Sequence, residues 1–262
     1  MDLANMKPVE VRQLIREGKL ATFTSGMCHG YAQANLVVLP KELAFDFLLF
    51  TTRNPRPCPV LDVTEVGCPE PKVAAPGADL RYDIPKYRIY RHGELTDEVT
   101  DIAKYWRDDL VAFLLGCSFS FESPLLEAGL EIRHITENHN VPMYITNIEC
   151  KPAGVFHGPM VVSMRPMTPK DAIRATQITS RMPNVHGAPI HFGDPAAIGI
   201  KDINKPDFGS PSTFKPGEVP VFWPCGVTPQ AVCMAAKPDF VITHAPGHMF
   251  ITDLWNADLS IL

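Results

Sequence analysis

Residues 219–248 read VPVFWPCGVTPQAVCMAAKPDFVITHAPGH. Val219 to Trp223 is a short apolar, β-branched run, Pro224 to Thr228 a loop, Pro229 to Lys237 a helix, and Phe240 to Thr243 the next strand. A strand, a helix and a second strand in this order read as a βαβ unit. Further upstream, Leu95, Val99, Ile102, Ala103 and Trp106 fall at helical spacing before the apolar run Leu110 to Leu115. A loop at Gly116 to Glu122 and a helix to Ala128 follow. The repeated alternation predicts an α/β fold, a three-layer Rossmann-like αβα domain with a largely parallel sheet.

The middle of the chain breaks that rhythm. Ile132 to Ile135, Val141 to Ile148 and Met160 to Met164 are successive strand-like runs with no helix between them, which predicts antiparallel pairing. With a helix at Pro169 to Arg181 and a further strand at Val185 to Phe192, residues 130–199 are expected to form a smaller two-layer α+β domain. It would be inserted into a larger α/β domain made of 1–129 and 200–262.

Punctuation comes from proline, at 26 of 262 residues about twice the usual share. Because 45% of the residues are hydrophobic and the prolines are scattered among apolar runs, disorder is a poor reading. Ser123-Pro124, Thr168-Pro169, Asp194-Pro195 and Thr228-Pro229 each place a capping residue before Pro. The cap side chain satisfies orphan N–H groups, and Pro at the first helical position has no N–H to lose. Asp171, three residues after Thr168, resembles a capping box.

Composition bounds the partners. With 24 Lys+Arg against 29 Asp+Glu and no basic run, the chain lacks the footprint of a nucleic-acid binder. The N-terminus has no apolar signal region, and the run Leu110 to Cys117 is far short of a membrane span. Seven cysteines without a CxxC pair suit reduced thiols, so a cytoplasmic protein is expected. Assembly with further copies of the chain is left open.

In α/β sheets, ligands gather outside the carboxyl ends of strands. The polar residues there are Cys117, Ser118, Ser120 and Glu122 after Leu115, Cys225 after Trp223, and His244 and His248 after Thr243. His157 opens and Arg165 closes the strand around Met160 to Met164. Each has a plain alternative. Free cysteines are usually small buried hydrophobes, histidines are often satisfied structural groups, and a buried Arg usually pairs with an acid of its own chain. An Arg fork is equally the natural clamp for a substrate carboxylate. Pro246-Gly247 forbids the helix that a His-x-x-x-His zinc motif needs. His186 and His191, near Gly187 and Pro189, leave a metal only as an open alternative. No metal or cofactor is expected, and no dinucleotide, P-loop or GxSxG motif is present.

Several ordered segments carry a family resemblance: Tyr31-Ala-Gln-Ala-Asn35, Asn54-Pro-Arg-Pro-Cys-Pro59, Gly116-Cys-Ser-Phe-Ser-Phe-Glu122, Gly158-Pro-Met-Val-Val-Ser-Met-Arg-Pro166, His186-Gly-Ala-Pro189, Cys225-Gly-Val-Thr-Pro-Gln230 and Thr243-His-Ala-Pro-Gly-His248. From about Val11 to Asp253 the chain resembles the D-glutamate cyclase family, whose bacterial members carry the label hydro-lyase. The resemblance implies an α/β fold with a second, smaller domain, and cyclisation of D-glutamate to 5-oxo-D-proline with loss of water. It carries no residue-level mechanism, so site roles rest on chemistry.

Lactam formation needs a neutral amine, an activated γ-carboxyl carbon and a proton for the departing oxygen. On this reading the catalytic candidates are His244, His248, Cys225 and Ser118, and the substrate-binding candidates are Arg165, Asn35, His157, His191 and Glu122. Arg165 is expected to hold a carboxylate, His244 or His248 to shuttle the proton, and Ser118 and Asn35 to donate hydrogen bonds. A Cys225 thioester ranks lower, because thiolates do not readily attack unactivated carboxylates. Two other functions share this inventory: β-elimination of water from a small hydroxy acid, and a non-enzymatic module that binds a small carboxylate.

Overall fold

Ala32 to Leu39 form eight consecutive buried residues, and this apolar stretch is the middle of the structure. The computed structural model describes residues 2–261. The strands are β1 (Tyr31–Pro40), β2 (Val60–Val63), β3 (Tyr87–Arg91), β4 (Glu94–Val99), β5 (Leu110–Gly116), β6 (Met143–Glu149), β7 (Pro159–Met167), β8 (His191–Phe192), β9 (Val219–Pro224), β10 (Val241–His244) and β11 (Phe250–Trp255). The helices are α1 (Pro8–Arg16), α2 (Lys41–Arg53), α3 (Glu122–Glu127), α4 (Arg133–Thr136), α5 (Pro169–Thr179) and α6 (Thr228–Ala236), joined by short 3₁₀ turns.

Seven strands form one sheet in the order β2-β5-β1-β10-β3-β4, with β11 also paired to β1, and β6-β7-β9-β8 form a second. Each of these pairings is antiparallel. The mixed α/β character holds, but the Rossmann-like parallel sheet is corrected, for two physical reasons. The 219–243 segment does run strand, helix, strand, yet β9 lies in the four-stranded sheet and β10 in the seven-stranded one. Helix α6 therefore crosses between sheets instead of returning to its own. The central strands also lack the polar alternation expected of an antiparallel sheet with one wet face, because both their faces are covered.

On one face of the large sheet, Val37, Leu39, Phe113 and Leu115 pack under Phe47 and Phe50 of α2 and Val232 and Cys233 of α6. Phe47 meets Phe113 edge-on at 4.8 Å between ring centroids. Burying a ring of this kind is worth roughly 1.5–3 kcal/mol. On the other face, Leu36, Val38, Ala112 and Leu114 are covered by Ala74 to Ile84 and Ile102, which are mostly irregular. The second sheet packs Met167, Val221 and Trp223 against Leu125, Ala172 and Ala175.

Two local expectations change with the fold. Leu95 to Trp106 holds β4 and a 3₁₀ turn at Ala103–Tyr105 in place of a helix, and Ile132 to Ile135 leads into the short helix α4 in place of a strand. The antiparallel pairing predicted for the middle segments is present as β6 and β7. No described helix is long and apolar enough to cross a membrane.

Candidate functional site

The strand β1 changes partner halfway along one edge. β11 pairs with Tyr31 to Ala34, and β10 pairs with Val37 and Val38, leaving Asn35 and Leu36 between them. The loop Ala245 to Met249 leaves the sheet at this gap. Here the His244 ring takes the place of a backbone partner, its Nδ1 lying 3.1 Å from the Leu36 N–H. The Leu36 carbonyl lies farther from Nδ1, at 3.4 Å. The shorter contact is with an N–H that can only donate, which assigns Nδ1 as the acceptor and the ring proton to Nε2. That Nε2 is buried without a partner. Burial pushes the His244 pKa down to about 4, so the ring is neutral near pH 7.

His248 has the opposite arrangement. Its Nδ1 lies 3.1 Å from the Pro246 carbonyl, which can only accept, so the proton sits on Nδ1 and Nε2 keeps a free lone pair. Burial lowers its pKa as well. Gly247 between them is at φ +81, and an added Cβ would lie 2.7 Å from Phe23 Cδ1 and 3.0 Å from Asn140 Cγ. The turn therefore requires glycine both for its backbone and for its close approach to Asn140.

Two cavities flank this loop. The inner one is lined by Asn35, Cys117, Ser118, Asn140, Cys225 and His244. It measures about 20 Å³, room for about one water molecule. The outer one measures about 540 Å³ and is lined by Lys86, Arg88, Glu98, Asn140, Asp207 and His248. Asn140 is common to both, and its Oδ1 is buried without a partner.

Four of the sequence candidates, His244, Ser118, Cys225 and Asn35, thus meet at the inner cavity, where the two sheets adjoin. Gly226 makes the junction possible, since an added Cβ would fall 1.9 Å from Asn35 Nδ2. Asn35 is not free to donate as expected: its Nδ2 is committed to the carbonyls of Leu115 at 3.2 Å and Gly116 at 3.0 Å. The Cys225 thiol is pushed up to about 11 by burial, which keeps it protonated and removes the basis for a thiolate.

Arg165 and Glu122 line neither cavity. Both are buried and bound to each other at 2.6 Å, so the Arg165 guanidinium answers an acid of its own chain. It lies between the Phe121 and Trp223 rings and also reaches Ser118 Oγ at 3.3 Å. Burial opposes ionisation of Glu122, but His134, 3.0 Å away, and Arg165 outweigh it and hold the carboxyl at about 2. Because Arg165 takes a lone pair of Ser118, the hydroxyl proton is left to donate elsewhere. His157 is exposed, and His191 gives its Nε2 to the Asp194 carbonyl at 2.7 Å beside Phe222. Neither joins the cluster. Among the described residues, no three His, Cys, Asp or Glu side chains are placed to hold a metal ion.

Sequence reasoning missed Asn140, Lys86, Arg88 and Glu98. Lys86 and Arg88 carried a usable signal, since cations two apart on a strand share one face. Asn140 carried none, because it reaches the site from a loop before β6.

Comparison with known proteins brings three relatives named "Putative hydro-lyase". One from Thermoanaerobacter sp. is 68% identical, covering 95% of this chain and 94% of its own. YcsI of Bacillus subtilis is 65% identical over 98% and 100%, and the Geobacillus kaustophilus protein 65% over 99% and 98%. Among solved structures, a nitrogen repressor-like protein from Methanococcus jannaschii overlaps at a TM-score of 0.36 with 6% identity, covering 93% of this chain and 97% of that one. A likeness that loose carries no argument. The family model described as D-glutamate cyclase matches residues 111–253, which include Ser118, β7, β9, Cys225, His244 and His248. On that match and on these relatives, the chain belongs to the D-glutamate cyclase family.

Proposed function

We propose that the protein is a carbon–oxygen lyase that closes D-glutamate, or a closely related amino acid, to 5-oxoproline with loss of water. The observation that carries this reading is the opposed pair of histidines, His244 at the end of β10 as a donor on the inner cavity and His248 in the loop that follows as an acceptor on the outer one. The family and the names of the relatives support the lyase class.

The chemistry balances as follows. The α-nitrogen bonds to the carbon of the γ-carboxyl group, one C–O bond of that same carboxyl breaks, and the two protons lost by the ammonium leave with its oxygen as water. His248 Nε2 takes a proton from the ammonium and returns it to the departing oxygen. A positioned acid and base of this kind contributes about 10²- to 10⁴-fold. His244 serves differently from the proton shuttle expected of it. With Nδ1 accepting from Leu36 and burial opposing protonation, its Nε2–H donates a hydrogen bond to the developing oxyanion and stays in place. Ser118 supplies a second donor, positioned by Arg165.

The inner cavity fits the single oxyanion oxygen, not a whole amino acid, so the substrate body and the departing oxygen belong on the outer side beside His248, and Asn140 or the 245–249 loop shifts to join the two. The test is incubation of the purified protein with D- and L-glutamate, followed by mass spectrometry. Formation of 5-oxoproline is the expected result. An unsaturated or keto acid from a hydroxy-acid panel, with no lactam, would move the reading to β-elimination.

A further inference from the structure

We infer that Arg88 and Lys86 form the clamp for the substrate's α-carboxylate, with Glu98 as the residue that holds the two cations in place. Lys86 and Arg88 are the cationic side chains on the walls of the two cavities. Arg165, the sequence candidate for this task, is committed to Glu122. Glu98 receives Lys86 Nζ at 3.1 Å and Arg88 Nε at 2.9 Å, fixing both on one side of the outer cavity. Among the described hydrogen bonds Arg88 uses only Nε, so both terminal nitrogens remain for a ligand.

Glu98 and Asp207 balance Lys86 and Arg88 in formal charge on the cavity wall, so the attraction for an anion is local, at the unengaged terminal nitrogens of Arg88. Asp207 is turned to the Ile145 N–H at 2.8 Å. Two-pronged contact with a carboxylate is what a guanidinium fork is built for. The clamp also lies next to the chemistry. Arg88 is the register partner of Thr243, one residue before His244, and its charge adds to burial in keeping that imidazole neutral. With the α-carboxylate at Arg88, His248 is on the same cavity wall to meet the α-ammonium, and the γ-carboxyl points toward Asn140 and the inner donors.

This inference rests on the reading that the substrate is an amino diacid, and binding measured apart from turnover separates the two. Titration calorimetry with D-glutamate would compare the wild type with Arg88→Gln and Lys86→Gln, using D-isoglutamine, whose α-carboxylate is an amide, as the control ligand. Arg88→Gln is expected to weaken D-glutamate by about tenfold or more, the loss typical of a charge-assisted pair, and Lys86→Gln by less. D-isoglutamine should bind wild type and Arg88→Gln alike. Binding of D-glutamate to Arg88→Gln within about twofold of wild type, or no binding to the wild type, overturns the clamp. Tight, Arg88-dependent binding with no lactam formed would keep the clamp and sink the cyclase reading. Lactam formation with an unchanged KM in Arg88→Gln would do the reverse.

Discussion

His244 and His248 are chemically identical side chains four residues apart, and the backbone atoms they face divide their roles. An N–H opposite Nδ1 makes His244 a donor, and a C=O opposite Nδ1 makes His248 an acceptor. Replacing His244 with Ala should lower kcat by about 10²- to 10³-fold, as for a lost oxyanion donor. His248→Ala should lower it by about 10²- to 10⁴-fold, as for a lost acid–base group. Added imidazole should restore turnover to His248→Ala, whose place adjoins the roomy outer cavity, and should fail for the enclosed His244→Ala. Turnover equal to wild type in both variants would remove this loop from the chemistry. The chain itself marked both histidines, because two of them after a strand in a Pro-Gly turn stand out. It marked Arg165 for the wrong partner, since nothing in the sequence brings Glu122 to within 2.6 Å.

At the scale of elements, the capping logic holds where the cap side chain is free to turn inward. Thr168 accepts from the Asp171 N–H at 3.2 Å and starts α5, and Asp194 accepts from Ala196 at 3.0 Å to start a 3₁₀ turn. Ser123 and Thr228 are instead already helical, as the second residue of α3 and the first of α6. Thr228 has been recruited elsewhere, donating to the Cys225 carbonyl at 2.7 Å and accepting from the Val161 N–H at 2.9 Å, which ties α6 to β7. Thr168→Ala should cost about 1 kcal/mol by denaturant unfolding. It should leave turnover unchanged, because α5 packs on the far side of the second sheet and lines neither cavity. A drop in activity at equal folding would tie α5 to the site. The segment Leu95 to Trp106 shows the limit of periodicity: its apolar residues match a helix, yet a two-residue turn at His92-Gly93, both at positive φ, folds it back on β3 as a hairpin.

For the whole molecule, the buried ionisable groups tie stability to pH. His244 and His186 are both lowered by burial from 6.5 to about 4. Between those values the unfolded chain binds protons that the folded one refuses, so stability falls as pH drops from 6.5 to 4 and then levels off for these groups. Each contributes about 3 kcal/mol at most over that window. Glu122, held at about 2 against 4.5, adds a further loss as pH falls below 4.5. Melting temperatures should therefore be flat near neutrality and decline steadily below pH 6.5, with a shallower decline in His244→Gln. A flat profile down to pH 4 would mean that these histidines are protonated at no cost in the folded state.

The sequence by itself determined the family, the strands β5, β6, β7, β9 and β10, the cap of α5 and the residue types at the strand ends, because periodicity, caps and motif order are local properties; the central strand β1 was not among them. Tertiary structure decided the sheet topology, since a helix between two strands looks the same whether it returns to its own sheet or crosses to another. It also decided which charges are free, turning Arg165 inward to Glu122 and leaving Lys86 and Arg88 on the cavity wall. Partner identity is a matter of distance in space, and Arg165 finds Glu122 across 43 positions of chain.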